Sequence, residues 1–588
     1  MQVNAPSETI EKSSSFFQSR VFILLIVLLV SLGGYLLSPN DLTPGSYQTH
    51  VEIQTEDGKI QYDVPFEIGP ENGEARTYTS TTDAGTIEIH AADSFANTLG
   101  QTIHYKVRLM DSAGTVVPIT IQSATSTLYG PDYEQIIPPV EKDGDWLNFS
   151  MRIPFKAKIA TALMLTVAGL WLTEIIPLAA AAFLVPIVLV VARVSSASAV
   201  LAPFAHPIIF LFLAGFLLAQ AMRRTGFDRL IALTILSKSS SRPASLMLTM
   251  MAITAFLSMW MSNTASVAMI IPIALAVIDR IPEAAGKTGF RRALILGVAY
   301  AGAVGGIGSA IGTPANILAM TFLSEYSGTN LTFIDWFAYG LPIVLLMVPV
   351  IWGFLLLSFK VRTTDVEGYI SPEVYREELA AQGGLHKEQR IVLLVFILTI
   401  ALWLSEGWHG ISSGIVALIG ALILFFSGTL ETEDLNRVNW NALLTFGGGL
   451  SIGTILVETG FSDWIALKLV GLASLPQALV IFLVAGMTLL IGAFISNTAC
   501  AAMLIPLAIP LAQLLQIDPR LMVAVVAIGS SIDFALVIGT PPTMLAYSTG
   551  LFDTSEIFRR GIILDLIGVA LLSSLIIWVW DVLGVITW

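Results

Sequence analysis

From Pro243 to Ile278 the chain runs for 36 residues without a charged side chain. A helix crossing a bilayer needs about 20 apolar residues, so this run is too long for one crossing and too short for two with a turn. Near its middle stand Ser262, Asn263 and Thr264. These residue types compete for backbone hydrogen bonds and favour helix caps and breaks. The stretch therefore predicts two short helical arms meeting at a polar tip, a hairpin over 243–278. The pattern recurs as Ser496-Asn497-Thr498, and Met503, Ile505 and Pro506 match Met269, Ile271 and Pro272 at one constant offset (497 − 263 = 234). A second hairpin is expected over 477–517. The plainer alternative is an ordinary helix pair with the triplet as interhelical polar glue, and the in-register repeat argues against it.

The whole chain has this character. It is 55% hydrophobic and 12% charged, with a mean hydropathy of +0.77, which places it among polytopic α-helical membrane proteins. The single cysteine, Cys500, excludes an intramolecular disulfide, and the six histidines show no metal-ligand spacing. No phosphate-binding loop, nucleophile–base pair or metal constellation is present, so the reading is a non-enzyme without prosthetic group or nucleic-acid partner.

Residues 1–40 read as a polar leader and one apolar helix. The leader is long for a signal peptide, which favours a retained anchor. Residues 41–150 differ in kind: they hold 17 acidic and 5 basic side chains, so nearly all of the net charge of −13 lies there. Alternating β-prone residues, with inward candidates including Val51, Ile53, Tyr62, Val64, Ile87, Ile89, Tyr105, Val107, Ile119 and Ile121, suggest a small β-sandwich outside the cytoplasm. A domain of that charge would repel an anion, which favours an assembly role.

The membrane body divides into a first repeat over 151–358, a polar linker over 359–390 and a second repeat over 391–588. Basic residues collect on one set of loops: Arg223 to Arg242, Arg280 to Arg292, the linker, and Arg559 with Arg560. The alternate loops near 195–205, 325–336 and 472–476 have none. The positive-inside rule puts the basic set in the cytoplasm of a bacterial inner membrane, with Arg152, Lys156 and Lys158 as exceptions. About eleven spans result, with the first hairpin entering from the cytoplasm and the second from outside.

The repeat extends beyond the triplets. Phe212-Leu213-Ala214-Gly215 is echoed by Phe446-Gly447-Gly448-Gly449, Trp171-Leu172-Thr173-Glu174 by Trp403-Leu404-Ser405-Glu406, and Gly312-Thr313-Pro314 by Gly539-Thr540-Pro541. Each Gly-Thr-Pro loosens a helix and stops its hydrogen-bond ladder, freeing carbonyls in mid-membrane. A helix N-terminus beginning at such a break suits an anion, and free carbonyls at a C-terminus suit a small hard cation such as Na⁺. Copies that start on opposite sides of the membrane, with interrupted helices, are the signature of a secondary transporter.

The Thr-Glu-Ile-Ile-Pro at 173–177, both triplets and both Gly-Thr-Pro breaks resemble the divalent anion:sodium symporter family, the solute carrier 13 type, over roughly 155–588. The resemblance implies an elevator-type carrier, usually a homodimer. It implies that Asn263, Thr264, Asn497 and Thr498 contact the anion, with Thr313, Pro314, Thr540 and Pro541 closing the site. One sodium site would fall on Ser258, Ser262, Asn263 and Gly312, the other on Ser496, Asn497 and Gly539. Three departures stand out. Gly492 replaces a usual threonine five residues before Asn497, and Thr543 stands where asparagine is common. Asp533 lies alone in the apolar run 521–546, an ionisable residue at membrane depth and a candidate cation or proton site.

The expectation is therefore a sodium-coupled symporter of a small divalent anion, with di- or tricarboxylate ahead of sulfate. Dicarboxylate exchange and proton coupling are alternatives. A membrane-anchored sensor using the β-domain is the reading from another class.

Overall fold

The computed structural model describes residues 23–586 except 37–44, 56–57, 69–75, 83–84, 98–99, 112, 119–123, 131–132, 138–140, 154–155, 193, 282–286, 330, 362–371, 460, 463–464, 466–468, 470–471, 473 and 538. The polar leader, Ile119, Ile121 and the middle of the 359–390 linker lie outside the described residues. The chain divides into two compact units, one comprising Met1–Leu170, Leu184–Val200 and Ser451–Gly471, the other Trp171–Phe183, Leu201–Leu450 and Leu472–Trp588.

In the first unit the apolar helix Ile23–Leu36 packs on the start of the membrane body, helix Lys156–Thr173. Small residues permit the approach: a Cβ on Gly169 would lie 2.8 Å from Val27, and one on Gly34 would lie 2.2 Å from Leu165. The Thr166 hydroxyl donates to Ser31 Oγ at 2.8 Å across the same contact.

Strands in this unit are β1 (Gly45–Thr55), β2 (Gly58–Ile68), β3 (Arg76–Thr82), β4 (Gly85–Asn97) and β5 (Gly100–Met110), then β6 (Val116–Val117), β7 (Ala124–Gly130), β8 (Tyr133–Ile137), β9 (Glu141–Asp143) and β10 (Trp146–Ile153). They form two antiparallel sheets, β2-β1-β7-β8 and β3-β4-β5-β10-β9, with β6 on β5. Period-2 alternation buries one face of each. Val51, Ile53, Tyr62 and Val64 are fully buried in one sheet, and Ile87, Ile89, Tyr105, Val107 and Phe149 in the other.

Helices dominate the rest. Among the described residues six are long and apolar enough to cross a bilayer: Ala197–Thr225, Gly289–Gly308, Asp335–Ser358, Trp440–Glu458, Asn497–Leu514 and Thr554–Val582. The uncharged run around the first triplet forms two helices, Pro243–Ser258 and Asn263–Asp279, packed on each other. At 16 and 17 residues each is about 25 Å long, short of a full hydrocarbon core. The second triplet likewise joins Gln477–Gly492 to Asn497–Leu514.

The repeated Trp-Leu-x-Glu segments both close a helix, Lys156–Thr173 in the first copy and Lys387–Leu404 in the second. Trp171 Nε1 donates to the Leu178 carbonyl at 3.1 Å and Trp403 Nε1 to the Ser413 carbonyl at 3.0 Å, so each tryptophan reaches over a helix end. Glu174 takes a left-handed φ of 47° at that end, and Glu406 accepts from the Ser413 hydroxyl at 2.5 Å. His409 ends the short helix Glu406–His409, its ring bonded to Leu402 O and Ile411 N.

Candidate substrate and cation site

All residues of the expected site lie in the second unit. At both tips the serine is the helix cap. Ser262 has φ −60° and ψ 142° and accepts from Ala265 N at 3.3 Å; Ser496 has φ −62° and ψ 146° and accepts from Ala499 N at 3.3 Å. A capping serine satisfies one of the free N–H groups of the first turn and fixes where the helix begins. The asparagine and threonine that follow, Asn263 with Thr264 and Asn497 with Thr498, are half-buried and open the helix N-terminus.

Helix Lys287–Gly305 leads through a short 3₁₀ turn, Gly306–Gly308, to a break, and a new helix starts at Pro314 after an extended Thr313. Pro314 suits the first helical position because its missing N–H is not needed there. The second break follows helix Pro519–Gly529 and restarts at Pro541 after an extended Thr540. Thr313 and Thr540 are buried. The packing is reciprocal. The helix after the first break, Pro314–Ser327, packs on the second exit arm, and the helix after the second break, Pro541–Ser548, packs on the first exit arm.

The first tip gathers oxygen. The Ser258 hydroxyl lies 2.8 Å from Asn263 Oδ1 and 2.6 Å from the Gly302 carbonyl. With one proton, Ser258 satisfies only one of these acceptors at a time. A Cβ on Gly306 would meet Asn263 Oδ1 at 2.3 Å, and one on Gly312 would meet the Gly306 carbonyl at 2.3 Å, so chain segments cross here only because both are glycine. Of the residues expected at the first sodium site, Ser258 and Asn263 touch, Gly312 abuts the Gly306 carbonyl, and the Ser262 hydroxyl is taken up by capping.

The first break is held by Asn316, whose Nδ2 donates to the carbonyls of Gly306, Ile307 and Ser309 at 3.0, 3.3 and 2.7 Å. Ser309 donates to the Met259 carbonyl, tying the break to the hairpin turn, and Trp336 Nε1 reaches Ile307 O at 3.0 Å.

The second tip is built differently. Asn497 Nδ2 reaches Ser531 Oγ at 3.5 Å, and buried Gly492 offers no hydroxyl where Ser258 stands in the first copy. Thr543, in the place of Asn316, bonds Thr540 alone among the described residues, at 3.0 Å between hydroxyl oxygens. The brace comes from elsewhere. Asp565 accepts from Phe534 N at 2.8 Å and Ala535 N at 3.1 Å, and the Tyr300 hydroxyl donates to the Phe534 carbonyl at 2.8 Å. Sequence reasoning missed both residues. Asp565 carried the same signal as Asp533, a lone acid in an apolar run; Tyr300 carried none. Asp533 itself is 1% exposed, and among the described residues no side chain bonds either carboxylate oxygen. Cys500 is buried, its Sγ donating to Thr488 O at 3.5 Å.

Residues 148–586 match the family model described as the sodium:sulfate symporter transmembrane region. The chain belongs to the sodium:sulfate symporter family, the divalent anion:sodium symporters. As a member it is a multi-pass membrane protein. Its curated relatives in the family include a sodium-dependent dicarboxylate transporter, SdcS, of Staphylococcus saprophyticus, 30% identical over 444 residues covering 71% of this chain and 85% of that one. SdcS of Staphylococcus aureus is 29% identical over 74% of this chain and 88% of its own. An uncharacterized transporter of Haemophilus influenzae is 32% identical over 72% and 92% respectively. A solved structure of the YdaH transporter from Alcanivorax borkumensis is similar at a TM-score of 0.47 and 14% identity, covering 66% of this chain and 87% of that one.

Proposed function

We propose that this chain is a sodium-coupled symporter of a divalent anion, with di- or tricarboxylate as the substrate class. The observation that carries the reading is the paired, serine-capped tips together with two broken helices whose exit halves pack on each other's hairpins. Four helix N-termini, at Asn263, Asn497, Pro314 and Pro541, supply positive dipole ends for two carboxylates, and those at Asn263 and Asn497 add free N–H groups. Asn263, Thr264, Asn497 and Thr498 contact the anion, and Thr313 and Thr540 line the site behind them. The Ser258, Asn263 and Gly302 oxygens hold one sodium ion. The names of the staphylococcal relatives favour dicarboxylate over sulfate.

On this reading both arm pairs are re-entrant hairpins, the first open to the cytoplasm. The body has about eleven spans in a bacterial inner membrane and works as an elevator in a homodimer. The strands of 45–153 lie outside.

Uptake of labelled succinate and sulfate into proteoliposomes tests this. Succinate uptake driven by a Na⁺ gradient and abolished by Asn263→Ala or Asn497→Ala is expected. Uptake that needs internal dicarboxylate and ignores Na⁺ would replace symport with exchange.

A further inference from the structure

The second tip lacks an oxygen and has a spare charge beside it. Asp533 is buried, and among the described residues no side chain bonds either of its oxygens, the Leu536 N–H being the one backbone donor beside it. Its place is set by Gly539, because a Cβ there would fall 1.6 Å from Asp533 Oδ2. The carboxylate therefore occupies the side-chain space of the glycine that opens the second break. Two residues before it, Ser531 Oγ meets Asn497 of the tip. The position that carries Ser258 in the first copy is Gly492, with the Ser530 carbonyl 3.4 Å from where its Cβ would be.

A buried carboxylate without a charged partner is among the least favourable arrangements in a protein interior. A second acid, Asp565, bonds the N–H groups of Phe534 and Ala535 just after it, and no Lys, Arg or His pairs with Asp533 among the described residues. A small positive charge beside Asp533 would supply that partner, and Ser531, two residues earlier, links this stretch to Asn497 of the tip. We propose that Asp533 is an anionic ligand of the sodium ion at the second tip, standing in for the hydroxyl that Gly492 removes. This rests on the reading of the chain as a sodium-coupled carrier. The two cation sites then differ in kind: the first is built from neutral oxygens, the second around a carboxylate. Glycine at 539 becomes obligatory for a reason of its own, since any side chain would displace the ligand.

The test uses the purified full-length protein and NaCl alone, with choline chloride holding ionic strength. The readout is the Na⁺-dependent rise in melting temperature, measured in wild type and in Ser258→Ala to remove the first tip's ion. Asp533→Asn is expected to raise the half-effective Na⁺ concentration by about tenfold or more. Adding Gly492→Ser to that variant should recover part of the loss. If Asp533→Asn does not fold, Gly539→Ala pushes the carboxylate aside at unchanged charge and should give the same shift. An unchanged half-effective concentration overturns the proposal, as does a wild type that shows no response to Na⁺. A wild type that binds Na⁺ through Asp533 yet accumulates neither succinate nor sulfate supports the cation site and removes only the substrate reading.

Discussion

Phe212 and Phe446 stand at the same place in the two copies of the repeat, and their rings pack together with centroids 6.0 Å apart. A residue meets its own counterpart only near the axis that relates the copies, as in a twofold interface. Both rings are buried, on helices Pro207–Thr225 and Trp440–Glu458. Truncating either to alanine should cost about 3–5 kcal/mol. Because they share one contact, the double variant should cost less than the sum by about 1 kcal/mol, read from melting of the four proteins of the cycle.

Asn316 holds three carbonyls of the first break through one amide nitrogen. Asn316→Ala leaves them without that donor and should destabilise by about 2–3 kcal/mol. Asn316→Asp should be worse, since it turns an acceptor toward three acceptors. Thr543→Ala at the matching place removes one hydroxyl pair and should cost about 1 kcal/mol. Thermal melting in detergent separates the three.

The second break depends on Asp565 and Tyr300. Asp565→Ala strands two buried N–H groups and should cost about 3 kcal/mol, whereas Tyr300→Phe should cost about 1 kcal/mol. If the brace positions the second tip, both variants lose uptake in that order at equal surface expression.

Gly306→Ala places a methyl 2.3 Å from Asn263 Oδ1 and should lower the melting temperature and weaken the Na⁺ dependence of uptake. Gly486 has open space beside it, so Gly486→Ala should leave transport unchanged and stabilise its helix by about 0.5–1 kcal/mol. Equal effects of the two would remove the steric argument.

One ion pair carries a pH signature. Burial pushes the Asp434 carboxyl up, but bonds from Glu431 N, Gln220 and Arg224 prevail and hold it below the ordinary aspartate range. A lowered folded-state value means stability that is present above the unfolded value, about pH 4, and is lost as pH falls below it. Melting of the wild type should therefore drop on acidification in that window, and Asp434→Asn should start lower and show a smaller drop.

What could be read in the sequence was whatever is polar in an apolar setting. The Ser-Asn-Thr triplets, the Gly-Thr-Pro breaks and Asp533 stand out because each conflicts with a continuous apolar helix, and the structure turns both triplets into capped helix starts. Alternation in 41–150 announced strands for the same reason of period. The partners were hidden. Gly302 contributes a carbonyl, which no residue letter announces. Asp565 and Tyr300 act on a segment more than 30 and 230 positions away, through contacts that exist only after packing.

The difference between the two breaks also decides what can move together. Asn316 belongs to the break it holds, so the first break carries its own clamp. The second is clamped by a tyrosine from the other repeat and by an aspartate from helix Thr554–Leu572, and Arg292 joins Glu556 at 3.0 Å between those same helices. Helices Lys287–Gly305 and Thr554–Leu572 thus cannot part without freeing the second break. In the proposed elevator these two helices travel with the second break, and the sliding plane lies outside them.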